Sequence, residues 1–242
     1  MDIQNNALAF LVQSMQELRK KMSLKDNVAQ IRNARFYLPN YPVDCIQKCM
    51  IDGNDYWDMQ AHHIINKYLK DNSVILDIGA NIGSHTVYWA IERHAKKIYA
   101  FEPLKGTFEI LEKNVELNGL NDRVVLYNLG LSDEETKAGV AAYNMENIGG
   151  TSFQKTENGV FTFVPLDSIA IKENIDLIKI DVEGAEVDVL MGGLKTLKKD
   201  KPIVVIESFH NKAVIDTIFA ELGYKQIDTI REGEDYIYKF AG

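Results

Sequence analysis

The sequence predicts an α/β protein: an open, mostly parallel sheet with helices on both faces and a helical segment ahead of it. Three observations carry this. From residue 74 onward, short apolar runs alternate with helical stripes, the pattern of a parallel sheet covered by its right-handed crossover helices. Hydrophobic residues make up 46% of the 242-residue chain, enough to bury a large core. Polar residues stand directly after each apolar run, at the strand ends where such a sheet binds ligands.

The elements follow in order. Between Ala7 and Met22, residues Leu8, Leu11, Met15, Leu18 and Met22 recur at alternating spacings of three and four, one face of a helix. That stripe suits packing on its own domain, or the seam of a homodimer through this N-terminal helix. A short strand at Phe36–Pro39 precedes the segment Cys45 to Ile51. Asp52-Gly53-Asn54 forms a turn, and a helix is expected from Trp57 to Lys70. The pattern changes at Asp71-Asn72, dividing a helical cap (1–71) from a larger domain (72–242). Strands are then expected at Val74–Ile78, Lys97–Phe101, Val124–Asn128, Leu177–Asp181 and Ile203–Glu207. Helices are expected at Gly83–Arg93, Thr107–Asn118, Glu186–Met191 and Lys212–Leu222. Residues 138–165 read as irregular β structure around Gly149-Gly150, either a loop over an acceptor or a plain turn. Lys195 to Lys201 reads as a solvated helix end. Lys225–Ile230 and Tyr236–Phe240, joined by Arg231-Glu-Gly-Glu-Asp235, read as a closing hairpin.

Charge and cysteine content restrict the partners. Thirty-five acids against 27 bases give a net charge of −8, which argues against nucleic acid and against an anionic membrane surface. Cys45 and Cys49 lie four residues apart, and a disulfide there would cross-link nothing; free thiols in a reducing compartment are expected. No apolar run approaches the roughly 18 residues of a membrane span. The first residues lack the features of a signal peptide, so a cytoplasmic protein is expected.

The strand ends carry the chemistry. Asp77-Ile-Gly79-Ala-Asn81-Ile-Gly83 follows the first strand, Glu102 the second, Gly130-Leu131-Ser-Asp133 the third, Asp181-Val-Glu183 the fourth, and Glu207 with nearby His210 the fifth. The glycines permit a tight strand-to-helix turn and let a ligand lie on bare main chain. A dinucleotide loop would need G-x-G-x-x-G, but Asn81 stands at the middle glycine. Asp77 would repel a pyrophosphate and suits a cationic ligand such as S-adenosylmethionine, which carries an ammonium and a sulfonium. Glu102, 19 residues after Gly83, suits a ribose diol.

Val74-Ile-Leu-Asp-Ile-Gly-Ala-Asn-Ile-Gly-Ser-His-Thr86 resembles the first motif of class I S-adenosylmethionine-dependent methyltransferases in the form found in the FkbM family. Tyr99-Ala-Phe-Glu-Pro103 resembles that family's second motif. Asp176-Leu-Ile-Lys-Ile-Asp-Val-Glu-Gly-Ala-Glu186 resembles its most distinctive stretch, and Val164-Pro-Leu-Asp167 the segment before it. The likeness covers about residues 55–210. It implies a Rossmann-like, seven-stranded sheet of order 3-2-1-4-5-7-6. It implies a cofactor site of Asp77, Gly79, Asn81, Gly83 and Thr86 around the methionine part, Glu102 on the ribose, and Gly130 and Leu131 beside the adenine. Asp181 and Glu183 would face the methyl group and the acceptor, a hydroxyl of a small molecule or glycan.

The catalytic set expected is His210, Asp181 and Glu183. An aliphatic hydroxyl needs a proton acceptor as the methyl transfers, and imidazoles exchange protons most readily near neutral pH. A divalent ion held by Asp181, Glu183, Glu207 and His210 is the less favoured route, and no metal is expected. Tyr56 and Trp57 would cap the cofactor or pack in the core. His62 and His63, being adjacent, face different ways and share no metal. Two rival functions stand beside this one: an NAD-dependent oxidoreductase, disfavoured by Asp77 and the missing glycine, and a non-catalytic binding module, disfavoured by the run of strand-end acids.

Overall fold

The computed structural model describes Ser14 and residues 24–242. The Leu8–Met22 stripe, and any dimer seam built on it, otherwise lies outside the described residues. The chain begins with a hairpin, β1 (Val28–Ile31) and β2 (Ala34–Tyr37), and two short helices, α1 (Cys45–Gly53) and α2 (Met59–Ile65). Asp44 caps α1 by accepting from the Gln47 amide, and Asp58 caps α2 by accepting from the Ala61 amide. Helix α2 is therefore shorter than the helix expected from Trp57 to Lys70, because its cap sits after Trp57 and turns follow Ile65.

The alternating section follows. It runs β3 (Val74–Ile78), α3 (Ser84–Glu92), β4 (Lys97–Phe101), α4 (Lys105–Leu117), β5 (Val124–Tyr127), then β6 (Gly130–Leu131), β7 (Thr136–Ala142), β8 (Ser152–Lys155) and β9 (Phe161–Val164). It closes with β10 (Leu177–Ile180), α5 (Glu186–Gly192), α6 (Leu194–Asp200), β11 (Ile203–Glu207), α7 (Lys212–Glu221), β12 (Tyr224–Ile230) and β13 (Asp235–Phe240).

Seven strands form the central sheet in the order β5-β4-β3-β10-β11-β13-β12, which is 3-2-1-4-5-7-6 when these strands alone are counted along the chain. The first five are parallel, and β13 runs antiparallel to both β11 and β12. Strand order reverses between β3 and β10. Their crossovers diverge there and leave a crevice at the carboxyl ends.

A second, four-stranded sheet, β6-β9-β7-β8, replaces the irregular structure expected for residues 138–165. Its pairings span tens of residues, and β7 alternates poorly, with one buried position in seven, so no local pattern announces it.

The segment before residue 72 does not stand apart. Ile31, Phe36, Met50 and Ile65 share one apolar cluster with Ile75, Trp89 and Leu111. Strand β2 is tied to α4 by its edge: the amides of Arg35 and Tyr37 donate to Asn118 Oδ1 at 2.8 Å and Asn114 Oδ1 at 2.6 Å. Residues 28–69 thus roof one face of the sheet, and a second cluster around Phe219 and Tyr238 covers the other. Among the described residues no helix is long and apolar enough to cross a membrane.

Candidate active site

The turn from β3 to α3 forms the floor of the site. Gly79, Asn81 and Gly83 all have positive φ. A Cβ on Gly79 would lie 1.8 Å from the Asp181 carbonyl oxygen, and one on Gly83 would lie 2.5 Å from Leu111 Cδ1. Contact with the Asp181 backbone therefore demands glycine at 79, and the left-handed φ of 86° favours it at 83, whatever binds above them. The Gly79 and Ala80 amides donate to the Phe101 carbonyl, which fastens the turn to the end of β4.

Glu102 stands at that end. Its Oε2 accepts from the Asn81 amide at 3.0 Å and its Oε1 from the Leu104 amide at 2.8 Å. Only 8% exposed, its carboxyl is pushed up to about 7 by burial, against the pull of those two amides. Each oxygen keeps a further lone pair for a diol.

Around this turn opens a cavity of about 380 Å³, lined by Gly79, Asn81, Glu102, Gly130, Leu131 and Asp181 among others. The expected cofactor residues are thus only partly at the surface of the site. Asp77, Gly83 and Thr86 are buried beneath it. Asp77 is fully buried; its Oδ2 accepts from Thr86 Oγ1 at 2.5 Å, and its Oδ1 lies 3.6 Å from Lys179 Nζ. The expectation that Asp77 touches a cationic ligand is corrected: its charge faces Lys179, its in-register neighbour on β10.

Lys179 and Arg231 organise the far wall, and neither was assigned a role from the sequence. Lys179 donates to the Gly79 carbonyl at 2.9 Å and lies 3.1 Å from Asp181 Oδ2. Burial works against its charge, but Asp181 and Asp77 outweigh burial and hold it firmly protonated. Arg231, at the start of the β12–β13 turn, donates to Glu207 Oε1 at 2.7 Å and to Asp235 Oδ2 at 2.7 Å. A lysine inside Leu177-Ile-Lys-Ile180, a strand buried at every position, was the signal available for Lys179. Nothing comparable marks Arg231.

Asp181, Glu183 and Glu207 converge, each offering an oxygen within 4.8 Å of the others. Burial and the neighbouring Asp181 charge raise Glu207, while Lys179 and a hydrogen bond from Glu207 keep Asp181 low despite burial. Glu207 therefore carries the proton that the pair shares, and Asp181 is the ionised partner. Lys179 and Arg231 already supply positive charge where a divalent ion would.

Glu183 differs from both. It has φ 53°, a region that costs an L-residue roughly 1–2 kcal/mol. It makes no hydrogen bond or ion pair with any described residue. Burial, then Asp181 and Glu186, push its carboxyl up.

His210 is not brought into this group. It sits exposed between β11 and α7, and Phe209 rather than His210 lines the cavity. Its expected role as base is corrected: after Ser208 the chain leaves the sheet, with the Ser208 amide bound to the Glu234 carbonyl. His210→Ala is expected to keep turnover within about twofold of wild type, as surface substitutions away from a site do; a methyl-transfer progress curve reads this directly.

Of the other residues considered, Trp57 lines the cavity and Tyr56 is buried, its hydroxyl donating to Glu92 at 3.1 Å. Asn147, Ile148, Gly149 and Thr151 also line the cavity, so this loop stands beside the site. His62 is buried and stacks on Tyr88, while His63 is exposed. Cys45 and Cys49 are unbridged.

Comparison with known proteins adds a family. The model described as "Methyltransferase FkbM domain" matches residues 77–226. Methyltransferase 1 of Beauveria bassiana is 27% identical over 147 residues, covering 50% of this chain and 59% of that protein. The 2-O-methyltransferase NoeI of Sinorhizobium fredii is 30% identical over 159 residues, covering 57% of this chain and 64% of that protein. The chain thus spans about three fifths of the length of these two relatives. A crystal structure of methyltransferase FkbM from Methylobacillus flagellatus superposes with a TM-score of 0.52 at 17% identity, over 71% of this chain and 44% of that one, a likeness of fold.

Proposed function

The chain belongs to the FkbM methyltransferase family, and from that premise we propose that it transfers a methyl group from S-adenosylmethionine to a hydroxyl oxygen of a sugar or other small molecule. One observation carries the reading: Glu102, with spare lone pairs, and the ionised Asp181 line the same cavity on either side of the β3–α3 turn. Bound there, S-adenosylmethionine supplies an electrophilic methyl carbon on a sulfonium.

The chain's own residues do the rest. Glu102 accepts the ribose hydroxyls, and Gly79 and Asn81 present main chain to the methionine part. Gly130 and Leu131, which line the cavity, would flank the adenine. Asp77 and Thr86 act from below by fixing Lys179 and the turn. Asp181, held in one orientation by Lys179 and Glu207, takes the acceptor's proton. As the methyl arrives, the oxygen becomes far more acidic than a carboxylic acid, so a carboxylate of ordinary or lowered basicity suffices. Alignment of the two reactants supplies most of the acceleration. NoeI, named as a 2-O-methyltransferase, supports an oxygen acceptor.

Calorimetric titration separates this reading from its rivals. S-adenosylmethionine and its demethylated product should bind with a stoichiometry of one, and NAD⁺ should not bind. A binding module would take the cofactor without turning it over. Heat with NAD⁺ alone would give the site to an oxidoreductase.

Glu102 makes the binding pH-dependent. Ribose hydroxyls donate to the ionised carboxylate, so the ligand favours the deprotonated form. Cofactor affinity should rise as pH climbs through about 7, level off above it, and release a proton on binding below it. Glu102→Ala should flatten this profile and weaken binding by roughly ten- to a hundredfold, the cost of hydrogen bonds to a charged group. Glu102→Gln should do nearly as much harm, because its NH₂ would face one of the two backbone amides that Glu102 now accepts from.

A further inference from the structure

We propose that the acceptor is not anionic: the site takes a neutral or amine-bearing polyhydroxyl group, and Glu183 is the residue that enforces the choice. This rests on the methyltransferase reading above and names the class of acceptor within it.

The charges lining the cavity carry the inference. Among the described residues its cationic side chains are Lys155, Lys179 and Arg231, and each is already held by carboxylates. Lys155 Nζ lies 2.5 Å from Asp133 and 3.1 Å from Asp188. Lys179 Nζ lies 3.1 Å from Asp181 and 3.6 Å from Asp77. Arg231 pairs with Glu207 and Asp235 at 2.7 Å each and with Asp58 at 3.6 Å. An incoming carboxylate or phosphate would have to break one of these pairs to reach a cationic side chain. On its way it would meet Glu102, Asp181, Glu183, Asp188 and Glu234, which line the same cavity. Like charges brought together in this way discriminate strongly against a partner.

Glu183 adds the positive side of the selection. Its carboxylate has no partner within the described chain and lies beside the β10 end. The left-handed backbone at Glu183 and Gly184 places it over the cavity next to the Gly150 loop. An unpartnered acceptor suits a hydroxyl or an ammonium of the ligand. Trp57, Phe153 and Phe209 also line the cavity, and Phe209 is 57% exposed, giving apolar faces for the C–H surface of a sugar ring. Carboxylates for hydroxyls and aromatic faces for ring carbons together describe an uncharged or amino sugar.

Three matched probes test this: methyl glucoside (neutral), methyl glucosaminide (amine-bearing) and methyl glucuronoside (anionic). Each is titrated by ligand-observed saturation-transfer NMR into the full chain saturated with S-adenosylhomocysteine. The glucoside and glucosaminide should bind, and the glucuronoside should bind at least about tenfold more weakly. Glu183→Gln keeps the shape and the acceptor oxygen but removes the charge. It should bring the glucuronoside to within about threefold of the glucoside and lower the advantage of the glucosaminide. A purely structural role for Glu183 would weaken all three alike. Binding of the glucuronoside as strong as that of the others, or binding of none of the three while S-adenosylhomocysteine is bound, overturns the inference. Failure of S-adenosylhomocysteine itself to bind would overturn the methyltransferase reading and the inference with it.

Discussion

Replacing Lys179 by methionine is expected to destabilise the fold by about 3–5 kcal/mol, the usual cost of removing one partner from a buried ion pair. Lys179 is 8% exposed and Asp77 wholly buried, so Asp77 would be left with a charge that no other described cation balances. For a domain of this size, 1 kcal/mol moves the melting temperature by roughly 2–4 °C, which puts the expected fall on the order of 10 °C. The sign of the pH dependence follows. Without Lys179, burial raises Asp77 further above its unfolded value, so the folded state binds the extra proton as pH falls. The deficit should therefore shrink as the solution is acidified through the raised value towards the unfolded one. Pairing Lys179→Met with Asp77→Asn should recover much of the loss, because the second change removes the orphaned charge while keeping an acceptor for Thr86. A melting temperature of the single variant within a degree or two of wild type would show that this pair does not anchor the turn.

Asp181→Asn is expected to lower kcat by about 10²–10⁴, the range for losing a positioned general base. The amide keeps the shape and can still accept from Lys179 Nζ, which now lies 3.1 Å away. Cofactor affinity should change far less, since Glu102 and the β3–α3 turn stay intact. Glu207→Gln should cost less turnover than Asp181→Asn, because Glu207 is the protonated partner and acts through Asp181. A kcat for Asp181→Asn within threefold of wild type would pass the role of base to Glu183, whose carboxyl burial raises and which lines the same cavity.

Much of the frame was legible because it is written in local pattern. Val74–Ile78, Lys97–Phe101 and Ile203–Glu207 are mostly apolar runs bounded by turns, and the strands form at those residues. Helix α3 begins where Gly83 supplies positive φ, and Glu102 lines the cavity as its strand-end position suggested. What escaped depends on pairing at a distance. Strand β7 meets β8 and β9 through backbone register, with little apolar alternation of its own. Arg231 reads as a charge in a hairpin turn until the fold brings Asp58, Glu207 and Asp235 around it. Asp77 escaped differently: its place in a motif is visible, but the face of the strand it occupies is not, because β3 is buried at all five positions and carries no alternation to read. His210 was misplaced for the related reason that closeness to a strand end in sequence does not fix a side chain's direction once the strand is over.

The most direct measurement is methyl transfer itself, followed by the chemistry of the bond formed. The full chain is incubated with S-adenosylmethionine labelled in the methyl group and a pool of small molecules and oligosaccharides, and the labelled product is isolated and treated with mild alkali. The account predicts that label is transferred, that transfer fails with Glu102→Ala and Asp181→Asn at subsaturating cofactor, and that the label survives alkali as a methyl ether. Label released by alkali as methanol, the behaviour of a methyl ester on a carboxylate, would contradict it, as would an absence of transfer by a protein that binds the cofactor.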